Sequence, residues 1–305
     1  MKVQRISAML LQALISLPTM ASSTLITAGG NITLPTSDTP ILGNLYNHWV
    51  ALGNKTFDLT RSLYLPTTTP LTIPMNGTRK SAIIEPSRSA LVIIDMQNYF
   101  LHPELSPRAE GGRKAVEPTL KMINAFRAKG MKVLWVNWGL DGHDLLTIPP
   151  SFLAGFSGGT DSPLTTFGSD MGTLNDSTPV GRKLMRGSWN ARPYGPLYDA
   201  QVSGVENGTD FYFHKNRLSG LWGTQTPLGL WLEENQMTTL FFGGVNADQC
   251  VWGTFLDAYY KGYDVVYVDD IAATTSPQAA TDMVRYNANL DGFISNSSLI
   301  VPAIS

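Results

Sequence analysis

Five apolar runs of strand length, separated by segments with helical spacing, constrain this chain more than any other feature. They are "ALVIID" at 90–95, "MKVLWVNW" at 131–138, "DFYFHK" at 210–215, "TTLFFGGV" at 238–245 and "YDVVYVDDIA" at 263–272. Runs that are apolar almost without alternation fit strands buried on both faces. Between them, "GRKAVEPTLKMINAFRAKG" repeats apolar residues at Val116, Leu120, Ile123 and Phe126 and closes on Gly130. "TPLGLWLEENQ" opens on a capping Thr226 followed by Pro227, and "ADQCVWGTFLDAYYKG" ends at Gly262. "SPQAATDMVRYNANLDG" reads as a helix capped by Ser276, and "FISNSSLIV" as a last strand. Strands alternating with helices require a parallel sheet covered by helices on both faces, a three-layer α/β domain of Rossmann type.

The flanking segments have a different character. "MKVQRISAMLLQALISLPTMASS" has two early cations, a short apolar run and small residues ahead of a cleavage point after Ala21. That is the pattern of a secretory signal peptide over residues 1–21, too short in its apolar part to span a bilayer. Asn-x-Ser/Thr sequons at Asn31, Asn54, Asn76, Asn175, Asn207 and Asn296 agree with a secreted glycoprotein. Residues 22–80 are rich in Thr, Pro, Gly and Asn and read as an arm of strands and turns on the main domain at 81–305. The arm leaves room for a contact in a homo-oligomer. Residues 139–208 form a Gly- and Ser-rich insertion, longer than an ordinary connection.

Net charge is −2, with Lys and Arg scattered, so no basic stripe for nucleic acid exists, and no later run is long enough for a membrane span. The expected partner is a small-molecule substrate. A single cysteine, Cys250, excludes an internal disulfide. In a secreted chain such a thiol marks an intermolecular bridge or a reactive group.

In open parallel sheets ligands bind beyond the carboxyl ends of the strands. Asp95 ends the first strand, Lys215 ends the third, and Cys250 follows the fourth near a helix start. An acid, a base and a nucleophile thus share one rim. Each alone has a plainer reading: a cap, a solvated strand end, and an inert buried thiol. A helix N-terminus and a neighbouring ammonium would hold the thiol below its usual pKa of about 8.5. Gln97, Asn98, Asn137, Trp138 and Trp222 lie close in sequence to these positions and are candidate substrate contacts. Trp252 reads as core packing, and Arg182, Lys183, Arg186 and Arg192 in the insertion read as solvated loop charges. Asp141 and His143 form an Asp-x-His pair, but a catalytic metal needs about three protein ligands and only two can be counted. They are read as loop hydrogen-bonders, and neither a metal nor another cofactor is expected.

"LVIIDMQ", the lysine of "FHKNRLSGLWGT" and "GGVNADQCVWGTFLDAYYKGYDVVYVDD" together resemble the signature segments of the isochorismatase-like cysteine hydrolases. The likeness covers residues 80–305, and the secreted arm is similar to fungal members. It implies a six-stranded, mostly parallel sheet and a triad in which Asp95 moves protons, Lys215 balances charge and Cys250 attacks. It also implies a cis peptide before Asn246, with the Asn246 and Cys250 N–H groups as oxyanion hole. The implied activity is hydrolysis of a small non-peptide amide or urea through a thioester. One branch of the family instead hydrolyses the vinyl ether of isochorismate to yield pyruvate. A non-catalytic secreted binding protein on the same scaffold is the third reading.

Overall fold

The computed structural model describes residues 24–27, 30–33, 40–44, 46–63 and 65–305. The expected signal peptide lies outside the described residues. Among those described, no helix is long and apolar enough to cross a membrane.

Two short strands, β1 (Thr24–Thr27) and β2 (Gly30–Thr33), pair antiparallel. A five-stranded sheet follows, built from β3 (Ile41–Gly43), β4 (His48–Ala51), β5 (Thr56–Asp58), β6 (Leu71–Pro74) and β7 (Ser81–Ile84). Its order is β3-β4-β5-β7-β6, with only the β5–β7 pair parallel. The main sheet contains β8 (Ser89–Ile94), β9 (Lys132–Trp138), β10 (Asp210–Lys215), β11 (Thr239–Val245), β12 (Asp264–Ala273) and β13 (Phe293–Ser295). Its order is β10-β9-β8-β11-β12-β13 and every pair is parallel. The chain therefore starts at the middle, builds outward to β10, and returns to the other side of β8. That reversal puts a topological switch point between β8 and β11.

The strand runs are apolar on both faces because both faces are covered. Leu91 and Ile93 of β8 join one buried cluster, and Ala90, Val92 and Ile94 join the other. Helix α1 (Asn98–Leu101), α2 (Glu110–Lys114) and α3 (Val116–Ala128) follow β8. Met122, Ile123 and Phe126 of α3 fill the first cluster. After β9 come α4 (Gly142–Thr147), α5 (Pro150–Gly155) and α6 (Pro196–Glu206). Helix α7 (Pro227–Glu234), α8 (Trp252–Tyr260) and α9 (Gln278–Asp291) contribute Leu232, Phe255 and Val284 to the second cluster, while α10 (Ser297–Ile304) returns Ile300 and Ile304 to the first.

Four local expectations need correction. "FISNSSLIV" is a strand for three residues only; Asn296 then accepts the Leu299 N–H at 3.1 Å and starts α10, a cap that overrides the β-branched composition. Ser276 does not cap α9, whose N-cap position is held by Pro277. The long insertion at 139–208 ends on a helix that was not read from the sequence, since residues 196–206 are the crossover helix α6 leading into β10. Lys183 and Arg186 are not free loop charges: Lys183 is buried and donates to the Phe156 carbonyl at 2.9 Å, and Arg186 faces Asp141 at 3.3 Å.

The arm sheet docks at the start of β12, the end away from the rim that carries Asp95 and Cys250. Asp264 there accepts from Trp49 Nε1 at 2.6 Å and pairs with the buried Arg61. Ser295 of β13 donates to the Pro74 carbonyl at 2.8 Å.

Candidate active site

The switch point receives its residues from two adjacent strand ends. Asp95 is the first residue after β8 and holds a left-handed φ of +51°, which is costly for a non-glycine residue and turns the chain sharply off the strand. Beside it, β11 passes so close to β8 that a Cβ on Gly244 (φ +123°) would fall 1.9 Å from the Ile94 carbonyl oxygen. Only glycine fits there. The peptide between Val245 and Asn246 is cis. The chain then enters a π-turn, Ala247–Val251, that carries Cys250 and runs on into α8. Thr254 donates to the Cys250 carbonyl at 2.7 Å and accepts from the Gly220 N–H at 3.1 Å, tying this turn to the loop after β10.

Lys215, the last residue of β10, reaches inward. Its Nζ lies 2.8 Å from Asp95 Oδ2, 3.1 Å from the Arg217 carbonyl and 3.9 Å from the centre of the Trp138 ring. The side chains of this ion pair are 2% and 0% exposed. The Trp138 N–H donates to Asp95 Oδ1 at 2.9 Å, so the carboxylate is held on both oxygens. The Cys250 thiol lies beside the Asp95 carboxyl, near enough that each shifts the other's titration. Asp95, Lys215 and Cys250 are thus brought into one contact cluster at the switch point.

Electrostatics in this cluster are governed by burial. Burial raises the Asp95 carboxyl above its ordinary range, opposed chiefly by the Lys215 ammonium. Burial pushes the Cys250 thiol up to about 12, with Lys215 opposing and Asp95 adding to the rise. The expected activated thiolate is not what the burial supports: Cys250 is only 3% exposed, and its desolvation outweighs the neighbouring Lys215 cation. Trp138 packs against Phe156 and Phe167 of the insertion at 5.2 and 5.0 Å.

The candidate contacts separate by geometry. Gln97 is consumed, accepting from the Trp138 N–H at 3.1 Å and donating to the Trp138 and Ala191 carbonyls. Asn98 is buried and donates to the Trp189 carbonyl at 2.9 Å. Asn137 pairs with His214 across the strands, on the sheet face opposite Trp138 and Lys215, and so does not look onto the cluster. Trp138 forms the floor under the Lys215 ammonium. Trp222 is half exposed and lines a cavity of about 160 Å³ together with Lys215, Asn216 and Arg186. Trp252 stacks on Phe255 at 5.3 Å against the core. The Arg217 carbonyl and Thr254 were not singled out from sequence. Only the Thr four residues after the cysteine, one helical turn on, hinted at a contact.

Among the described residues, no three His, Cys, Asp or Glu side chains cluster to hold a metal ion. Asp141 is the N-cap of α4 in a reciprocal capping box with Asp144, and His143 is exposed on that helix rather than in a loop.

The fold has close counterparts. A nicotinamidase from Bacillus subtilis is 22% identical, with a TM-score of 0.51 over 68% of this chain and 99% of its own. An isochorismatase family protein from Desulfovibrio vulgaris is 24% identical, with a TM-score of 0.52 over 69% and 95%. A cysteine hydrolase from Pseudomonas syringae is 17% identical, with a TM-score of 0.55 over 78% and 97%. The isochorismatase domain model matches residues 89–290, which hold the whole span from β8 into α9, both sides of the switch point included. This chain belongs to the isochorismatase-like hydrolase family.

Proposed function

We propose that this chain is a secreted cysteine hydrolase cleaving a small non-peptide amide or urea-type C–N bond through a covalent thioester. The contact between thiol, carboxylate and ammonium at the switch point carries the reading. A thiol pushed up to about 12 stores little thiolate. Its proton therefore passes to Asp95 as the sulfur attacks the carbonyl, rather than beforehand. The Asn246 and Cys250 N–H groups stabilise the resulting oxyanion. Asp95 then protonates the leaving nitrogen, the C–N bond breaks, and a thioester remains on Cys250. Asp95 next takes a proton from water, hydroxide adds to the thioester, and the acid leaves as the thiol recovers its proton. Lys215 keeps Asp95 able to ionise in its buried setting.

The cavity beside Lys215, about 160 Å³, suits a small substrate. Ammonia release from a panel of small amides and ureas tests the reading, and a Cys250→Ala variant with comparable activity would refute the covalent route. Pyruvate release from isochorismate is assayed in parallel, because an Asp95 carboxyl raised by burial is also suited to protonate a vinyl ether. Activity in neither arm favours the binding-protein reading.

Secretion rests on the N-terminal pattern and the sequons. Asn54, Asn76, Asn175 and Asn207 are exposed, whereas Asn296 caps α10 with its side-chain oxygen; the Asn31 side chain lies outside the described residues. Expression in a eukaryotic secretory host should deliver the chain to the medium with a mass that falls on enzymatic deglycosylation. Retention inside the cell without glycans would refute secretion.

A further inference from the structure

A second cavity, of about 250 Å³, opens beside the edge strand β10 and shares Arg186 and His214 with the cavity next to Lys215, but Asp95, Lys215 and Cys250 do not line it. Its walls come from the edge strand β10, from α6 and from the loop at 186–193, and include Arg186, Arg192, Tyr198, Gln201, Tyr212 and His214. The separation follows from strand parity. Tyr212 packs on the cluster that contains Trp135, while Phe211 and Phe213 pack on the cluster that contains Trp138 and Cys250. His214 therefore faces the second cavity's side, and Lys215, its neighbour in sequence, faces the other.

Three observations give this cavity the character of a ligand site. Gln201 is 7% exposed, and its buried Nε2 approaches the Tyr212 hydroxyl without forming a well-aligned hydrogen bond. On the same sheet face Asn137 is 1% exposed, and its carboxamide likewise approaches the Tyr212 hydroxyl without a well-aligned hydrogen bond. An unpaired buried amide is costly, and most such groups find a partner in protein, water or ligand. At the mouth, the Arg192 guanidinium lies 5.3 Å from the Tyr198 ring centre, and among the described residues no carboxylate is within salt-bridge distance of it. Arg186, which lines the same space, is shared with Asp141 and Asp144 at 3.3 and 3.7 Å. Burial lowers His214 to about 4, so its imidazole is neutral at pH 7 and adds no competing charge.

We propose that this cavity binds a small planar organic carboxylate, with the ring between Tyr198 and Tyr212 and the carboxylate taking hydrogen bonds from Arg192 and Gln201. Guanidinium and amide donors match a carboxylate, and flat aromatic walls match a planar body. A volume of about 250 Å³ equals roughly eight water volumes of about 30 Å³, room for a one-ring acid. None of Asp95, Lys215 and Cys250 lines this site, and its occupancy does not depend on whether they turn over amides.

Benzoate is the probe, titrated calorimetrically into the full chain, with benzamide as its neutral isostere. Saturable binding of benzoate at one site is expected, with benzamide at least about tenfold weaker because it cannot form the charge-assisted bonds. Arg192→Ala and Gln201→Leu should each weaken benzoate by about tenfold or more, while Cys250→Ala and Trp222→Ala leave it unchanged. Arg192 is exposed, so its variant tests the site without burdening the fold. Undetectable benzoate binding, equal affinity for benzamide, or loss of binding in Trp222→Ala with retention in Arg192→Ala would each overturn the proposal.

Discussion

Replacing Lys215 by Met would remove the cation that keeps Asp95 ionised while roughly conserving volume. The ion pair is 2.8 Å long, with side chains only 2% and 0% exposed, so solvent cannot substitute for the lost partner. Removing one member of such a pair costs about 3–5 kcal/mol when the other is left charged. Asp95 can escape that cost by taking up a proton, and its carboxyl is already raised by burial. The sign follows from linkage. A carboxyl whose folded pKa exceeds its unfolded value near 4 contributes stability fully at low pH and loses it as pH rises toward the folded value. Without Lys215 that folded value climbs further, so the variant should be most destabilised at high pH. At about 1.4 kcal/mol per pH unit, moving from pH 8 to pH 6 should return up to about 2.7 kcal/mol relative to wild type. Urea unfolding of wild type, Lys215→Met, Asp95→Asn and the double variant at both pH values measures this directly. The double variant should be less damaged than the sum of the singles by 1 kcal/mol or more at pH 8, by roughly the coupling seen in buried pairs. Additive losses, or a Lys215→Met loss that does not change between pH 6 and pH 8, would refute the reasoning.

Other outcomes follow from the same geometry. Iodoacetamide should label Cys250 at pH 8 at least about a hundredfold more slowly than a free cysteine, since burial both blocks access and pushes the thiol up to about 12; labelling as fast as a model thiol would restore the activated-thiolate picture. Gly244→Ala should cost about 2 kcal/mol or more, because its φ of +123° and the Ile94 carbonyl 1.9 Å from the new Cβ leave no relaxed solution. A thermal midpoint within a degree of wild type would contradict that account of the β8–β11 approach. Arg61→Leu should lose about 3–5 kcal/mol by leaving Asp264 buried and unpaired, and additional loss of Asp264 should cost little more. A full additive penalty in the urea melts would show that the pair does not hold the arm to β12.

Much of the sheet was legible because β8, β9, β11 and β12 are buried on both faces, which leaves an unbroken apolar signature in the sequence. Asp95 and Lys215 were legible as polar residues ending such runs. Cys250 was legible in position and not in state, since a strand-to-helix junction says nothing about how deeply it is buried. Phe156 and Phe167 reach Trp138 from the insertion, and no local pattern ties those residues to it. Asn137 was readable in principle. Val133 and Trp135 share one face of β9, and Asn137 continues their parity while Trp138 takes the other. Gln97 illustrates the opposite case: two of its bonds go to Trp138, 41 residues away, and the third to Ala191, 94 residues away. Long-range partners of that kind carry no signature in a single sequence.

The most direct test of the central claim is the intact mass of the protein, quenched in acid during turnover of whichever panel amide releases ammonia fastest. A species heavier by the acyl or carbamoyl group is expected, mapped by digestion to Cys250 and absent from Cys250→Ala, which releases no ammonia. Steady ammonia release with no adduct on Cys250, and the same rate from the Cys250→Ala variant, would contradict that claim.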